Sequence, residues 1–138
     1  IFISKVPDKL KSKVKQIMVT WPENVDFYEP VFNYMEELRK QGYKIYGLSN
    51  TGMQFANFVK NSEMGNYFDG YVFSAQEKLM KPDRRIYERL IARYILNTEE
   101  SIFIDDLKAN TDAAKKLRML PLRLINLANY KNIFLTIK

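Results

Sequence analysis

Cysteine and histidine are both absent from the 138 residues, and the two absences remove much familiar chemistry. There can be no disulfide frame, no zinc-finger ligand set, no cysteine nucleophile and no Ser-His-Asp triad within this chain. Carboxylate, hydroxyl, amide and lysine chemistry remain, a set that suits hard, oxygen-loving cations such as Mg²⁺. Long apolar runs are missing as well. Ile102, Phe103 and Ile104 form a typical short run, bounded by charge or turn residues, whereas a membrane helix needs roughly 20 apolar residues in succession. No hydrophobic signal core with a small-residue cleavage site follows Ile1. A soluble, cytoplasmic protein with no membrane partner is the expectation.

What is present points to one compact α/β domain. Hydrophobic residues make up 46% of the chain, enough for one core. Lysine and arginine outnumber aspartate and glutamate by 22 to 16, a net charge of +6. Lys5, Lys9, Lys11, Lys13 and Lys15 cluster near the N-terminus, where they read as the solvated side of a helix rather than a groove-lining stripe, so no nucleic-acid partner is expected.

Along the chain, apolar periodicity alternates between helix and strand. Leu10, Val14, Ile17, Met18 and Trp21 recur at helical spacing and Pro22 stops the pattern. Pro30 opens a second helix through Val31, Phe32, Tyr34, Met35 and Leu38, with Gly42 as its C-terminal stop. Residues 44–48 read as a strand running into Ser49-Asn50-Thr51-Gly52, and Phe55, Ala56 and Val59 mark a helix behind it. The cycle repeats with a strand at 71–73, a loop through Lys81-Pro82, a helix carrying Ile86, Leu90, Ile91 and Tyr94, a strand at 101–104, a helix at Ala113, Ala114 and Leu117, and a last strand at 122–125. Residues 127–138 fit a short helix or an edge strand. Alternation of this kind predicts a Rossmann-like, three-layer α/β fold with a mainly parallel sheet.

In open parallel sheets, ligands bind beyond the carboxyl ends of the strands, where turns and helix N-termini converge. Ser49 closes the first strand, Lys81 lies in the loop after the second, and Asp105-Asp106 ends the third. Adjacent carboxylates repel, and a divalent cation is the simplest way to neutralise the pair, with Asn110 four residues on able to lend an amide oxygen or hold a ligand in place. Each feature has a plainer alternative. Asp106 or a neighbour can cap the next helix, Ser49-Asn50-Thr51 can do the same for theirs, and a lone lysine is commonly exposed.

The ordered set is more specific than its parts. Leu48-Ser49-Asn50-Thr51, then Lys81-Pro82 with Ile86-Tyr87, then Phe103-Ile104-Asp105-Asp106 with Asn110 and Ala113-Ala114 resemble the second, third and fourth motifs of the haloacid dehalogenase superfamily. The resemblance covers about residues 26–125, and Trp21, Pro30 and Gly42-Tyr43 resemble its sugar-phosphate phosphatase branch, with glucose 1-phosphate phosphatases nearest. It implies a Mg²⁺-dependent phosphatase acting on a small phosphorylated metabolite. Ser49, with the Asn50 main chain and Thr51, would bind the phosphoryl group. Lys81 would neutralise charge on that group and the nucleophile, and Asp105, Asp106 and Asn110 would form the metal site. Such donors and cations stabilise the charge spread over a phosphoryl transition state.

The superfamily's first motif, Asp-x-Asp on a strand preceding all of this, has no match here. Asp8 lies in a basic helical segment and Asp26 in a polar turn. The resemblance therefore implies a fragment inactive by itself, with residues 1–25 the end of a helical cap and 26–138 a core lacking its first strand. That strand would lie between those ending at Ser49 and Asp105. The pattern carries no signal for an oligomer. Three other readings meet some of the facts. A two-component receiver has similar groups in a different order, a metal-free 2-haloacid dehalogenase shares the fold but would be repelled by the acidic pair, and a degenerate protein-binding domain would need no metal. Arg118 stands where a glycine is common in the superfamily, before the last strand.

Overall fold

The computed structural model describes residues 6–20 and 28–125; Trp21, Asp26 and the tail from residue 126 lie outside them. Helix α1 (Asp8–Thr20) carries Lys9, Lys11, Lys13 and Lys15, Lys5 lying outside the described residues, and its Leu10, Ile17 and Val19 are exposed. Helix α2 (Glu29–Lys40) starts with proline in its first turn. It ends on Gly42, whose φ of +91° suits a residue without Cβ. The Gly42 and Tyr43 amides donate to the carbonyls of Arg39 and Leu38, which closes the helix in a Schellman motif.

Strand β1 (Tyr46–Ser49), helix α3 (Met53–Asn61) and strand β2 (Gly70–Phe73) form a parallel unit in which Leu48 pairs with Val72 and Ser49 with Phe73. The first strand starts later than its apolar pattern suggests because Lys44 leaves the run to pair with Asp69 at 3.2 Å, while the other Asp69 oxygen accepts from the Ile45 amide. Those donors outweigh the rise that burial would cause and hold the Asp69 pKa below its ordinary value.

A short helix α4 (Ser74–Glu77) and the Lys81 loop lead to helix α5 (Arg84–Tyr94), capped by Asp83 accepting from the Arg85 amide. Strand β3 (Ile102–Asp105), helix α6 (Lys108–Lys116) and strand β4 (Leu120–Arg123) make the second parallel unit, with Asp105 opposite Arg123. The last strand lies two residues earlier than its sequence pattern indicates. Pro121 sits inside it, opposite Phe103, and is tolerated because β4 has a single ladder partner among the described residues.

The α/β architecture and the parallel pairing agree with expectation, and among the described residues the strands form two pairs, β1·β2 and β3·β4, rather than one continuous sheet. Among the described residues neither β1 nor β3 has a second ladder partner, and every residue of β1 is only partly buried. The pairs still share a core. Val72, Ile86, Tyr87, Leu90, Phe103, Ala114 and Met119 pack together, with α5 contributing three of these residues and so joining both units. A second cluster, Ala56, Val59, Met64 and Phe73, lies under α3.

Arg118, in place of the glycine common in the superfamily, has a φ of +64°, and Ile95, just past α5, has +52°. Left-handed backbone is costliest for a β-branched side chain, and Ile95 is 91% exposed, with little packing to lose. Ile95→Gly is expected to stabilise the fold by about 1 kcal/mol, read as a higher urea midpoint with an unchanged slope.

Candidate active site

Lys81 joins the two strand pairs. Its ammonium donates to the Leu48 carbonyl of β1 at 2.7 Å and to Asp105 Oδ2 at the end of β3 at 2.6 Å, and it lies 5.7 Å from the centre of the Phe103 ring. The two side chains of the ion pair are only 11% and 5% exposed, so this is not the solvated lysine that residue statistics favour. The other Asp105 oxygen accepts from the Leu107 amide and from Asn110 Nδ2, each at 2.9 Å. Burial by itself would raise the Asp105 pKa. The hydrogen bonds from Lys81, Leu107 and Asn110, with the lysine charge, win and hold it below the ordinary value.

Asn110 is almost fully buried and its backbone is fixed from behind, since the Tyr87 hydroxyl donates to the Asn110 main-chain carbonyl at 3.0 Å. The Tyr87 ring packs on Phe103 at 5.2 Å. Burial first, and the nearby Asp105 charge second, push the Tyr87 pKa up to about 12, so the phenol remains a neutral donor at any physiological pH.

On the β1 side, Ser49 is the last strand residue. The Asn50 carboxamide brackets the Lys81 peptide, Oδ1 accepting from the Lys81 amide at 2.7 Å and Nδ2 donating to its carbonyl at 2.9 Å. Thr51 is held by Ser74, whose hydroxyl accepts from the Thr51 amide and donates to the Thr51 carbonyl. Asn50, Lys81, Asp105 and Asn110 thus form one connected chain of bonds, with Ser49 and Thr51 flanking Asn50. Asp106 follows Asp105 with its side chain exposed, while its carbonyl accepts from Arg123.

The capping alternatives do not hold. The N-cap of α6 is Leu107 and that of α3 is Gly52, and neither helix has a side-chain cap. Sequence reasoning did not single out Ser74 or the Leu107 amide. An acceptor bond from an aspartate to the amide two residues on is a common Asx turn, so the second had a recognisable signal; the first had only a hydroxyl at a strand end. A cleft of about 480 Å³ lined by Glu36, Arg39, Lys40, Gly42, Tyr43, Lys44 and Asp69 contains none of the site residues and opens near the start of β1, away from this edge.

For a divalent cation, Asp105, Asp106 and the amide oxygen of Asn110 are hard oxygen donors of the right kind. Among the described residues no group of three or more acidic, histidine or cysteine side chains gathers to hold a metal. Mg²⁺ commonly keeps several waters and uses one or two carboxylates with substrate phosphate oxygens, so the pair fits as part of a coordination shell.

A model of the haloacid dehalogenase-like hydrolase family matches residues 2–121. A sesquiterpene phosphatase of Aspergillus oryzae is 33% identical over 93 residues, 65% of this chain and 46% of that protein, so the chain spans under half the length of this relative. A haloacid dehalogenase family enzyme of Bacteroides thetaiotaomicron, solved in complex with magnesium and inorganic phosphate, superposes with a TM-score of 0.75 at 26% identity, covering 87% of this chain and 64% of that one. A solved dehalogenase superposes at 0.60 with 26% identity over 67% of this chain and 41% of its own. The chain belongs to the haloacid dehalogenase-like hydrolase family.

Proposed function

We propose that this chain carries the phosphoryl-binding and metal-binding portion of a Mg²⁺-dependent phosphatase for small phosphate monoesters. The reaction runs through an aspartyl-phosphate whose nucleophile lies outside residues 1–138. The observation that carries the reading is the Lys81 ammonium between the carbonyl of Leu48 and the carboxylate of Asp105, where the carboxyl ends of two parallel strand pairs meet beside Ser49. Support also comes from the phosphatase relative and from the magnesium and phosphate of the bacterial neighbour.

In this reading Ser49 donates its hydroxyl to the phosphoryl group, the Asn50 and Thr51 segment lines its other side, and Lys81 supplies the positive charge that the transition state needs. Asp105, Asp106 and Asn110 form the metal side of the site. Mg²⁺ bound there supplies further charge neutralisation on the phosphoryl oxygens. The nucleophile would sit on an apolar strand paired between β1 and β3, whose facing edges have no other partner among the described residues, and α1 would close the site as the end of a cap. The metal-free dehalogenase reading is weaker, because Asp106 adds a second carboxylate beside a haloacid's own.

The resemblance of the flanking residues favours a sugar phosphate as substrate. An apolar leaving group is the second reading. It is supported by the fungal relative's terpenoid substrate class and by Met53, Met80 and Leu107, which are 46%, 61% and 57% exposed and each lie beside a site segment. Such adaptable apolar side chains suit a hydrocarbon better than a sugar.

The test uses purified residues 1–138 and Asp106→Asn, which leaves the buried Lys81 pair untouched. Titration calorimetry should find Mg²⁺-dependent binding of inorganic phosphate, weakened roughly tenfold or more by the substitution. The chain should release no phosphate from p-nitrophenyl phosphate, and joining an upstream apolar strand ending in Asp-x-Asp should give turnover. Unchanged affinity in Asp106→Asn would remove Asp106 from the metal site, and turnover by residues 1–138 alone would place the nucleophile within them. On the active form, kcat/KM for glucose 1-phosphate against a sesquiterpenyl phosphate separates the two leaving-group readings.

A further inference from the structure

The side chain of Asn50 has both of its polar ends committed to a single distant peptide. Its carbonyl oxygen accepts from the Lys81 amide at 2.7 Å and its NH₂ donates to the Lys81 carbonyl at 2.9 Å, across 31 positions of sequence. A carboxamide bonded in this way acts as a one-residue extension of a strand ladder. The Lys81 loop is otherwise anchored on its own side, between α4 and α5, with the Asp83 amide donating to the Met80 carbonyl. Among the described residues this loop bonds to β1 and its following turn through Asn50 and through the Lys81 ammonium on Leu48.

The consequence lies in where the ammonium can reach. Lysine carries a flexible four-carbon stem and much rotamer entropy, and its two acceptors, Leu48 and Asp105, belong to strands that do not pair with each other. Fixing both polar groups of the Lys81 backbone sets the origin and direction of that stem. We propose that Asn50 is a positioning residue that acts through Lys81: its side chain holds the loop in the one register from which the ammonium spans both strand ends, and that side chain, unlike the Asn50 main chain, does not bind the phosphoryl group. The assignment concerns the placement of Lys81 and does not depend on which reaction the site performs.

Competitive acetylation of the purified chain, mapped peptide by peptide, reads the placement directly. In the wild type Lys81 should label at least roughly tenfold more slowly than Lys44 and Lys108, whose side chains are 68% and 69% exposed, because its amine is buried and paired. Asn50→Ala should accelerate Lys81 labelling at least about fivefold, leaving Lys44 and Lys108 unchanged. Asn50→Asp keeps the acceptor for the Lys81 amide, loses the donor to its carbonyl, and should fall between the two. A merely structural loss would speed all lysines together. Should Asn50→Ala do this by unfolding, Asn50→Asp decides: selective acceleration at Lys81 supports the proposal, and uniform acceleration or none overturns it. Unchanged Lys81 labelling in Asn50→Ala, with inorganic phosphate losing its affinity, would make Asn50 a phosphate ligand and also overturn it.

Discussion

Lys81→Met is expected to remove about 3–5 kcal/mol of folding stability at neutral pH, because it leaves the Asp105 carboxylate charged and buried without its partner. The methionine keeps most of the apolar stem beside Phe103, so the loss reports the charge rather than a cavity. Against a total stability of roughly 5–15 kcal/mol this is enough to leave a marginal fold. The pH dependence gives a second signature. Asp105 has a pKa depressed from its ordinary 3.8, so its pairing contributes stability that is fully present above that value and is lost as pH falls through the lower folded value. Protonating Asp105 removes the ion pair from the wild type and the unpaired buried charge from the variant, so the gap between them should narrow at acid pH. Urea unfolding at about pH 7 and at about pH 3 measures it. A variant as stable as the wild type at neutral pH would mean that Lys81 and Asp105 are not a buried pair in solution.

Gly70→Ala is expected to cost about 2–3 kcal/mol. A Cβ on Gly70 would stand 2.5 Å from the Tyr94 hydroxyl oxygen and closer still to its ring carbons. Tyr94 cannot swing aside cheaply. Its hydroxyl accepts from the Tyr71 amide at 2.8 Å and donates to the Tyr71 carbonyl at 3.0 Å, and its ring lies 4.7 Å from that of Tyr46. The tyrosine thereby satisfies backbone groups of β2 that would otherwise invite another strand. Chemical denaturation of Gly70→Ala, Tyr94→Leu and the double variant tests the contact. Both changes disturb one interaction, so the double variant should lose clearly less than the sum of the singles. Simple additivity would separate the glycine from the tyrosine.

Much of the fold is written locally. The 3.6-residue stripe of Ile86, Leu90, Ile91 and Tyr94 becomes α5, and the proline and Gly42 that bound the second helix serve as a first-turn residue and a left-handed stop. The order of polar groups at strand ends was also readable, because an apolar triplet followed by two aspartates leaves little freedom over where the carboxylates emerge, although of the triplet only Phe103 is buried and Ile104 is exposed. Less legible were features that run against local preference. Pro121 inside β4 is acceptable because the strand is at an edge among the described residues, and Ile95 and Arg118 take left-handed backbone that neither side chain favours.

The site divides along the same line. Residue type and spacing determined that a hydroxyl, an amide, a lysine and an acidic pair would stand at the carboxyl ends of parallel strands, since strand periodicity and turn chemistry act over a few residues. Tertiary structure decided how they are joined. Lys81 meets Asp105 across 24 positions and Leu48 across 33, Asn50 spends its side chain on the Lys81 peptide, and Tyr87 steadies Asn110 from another helix. The two strand pairs share one core yet leave β1 and β3 unpaired with each other. These outcomes depend on which surfaces pack and which polar groups then lose water. Hydrogen bonding and burial settle that over distances in sequence where periodicity carries no information.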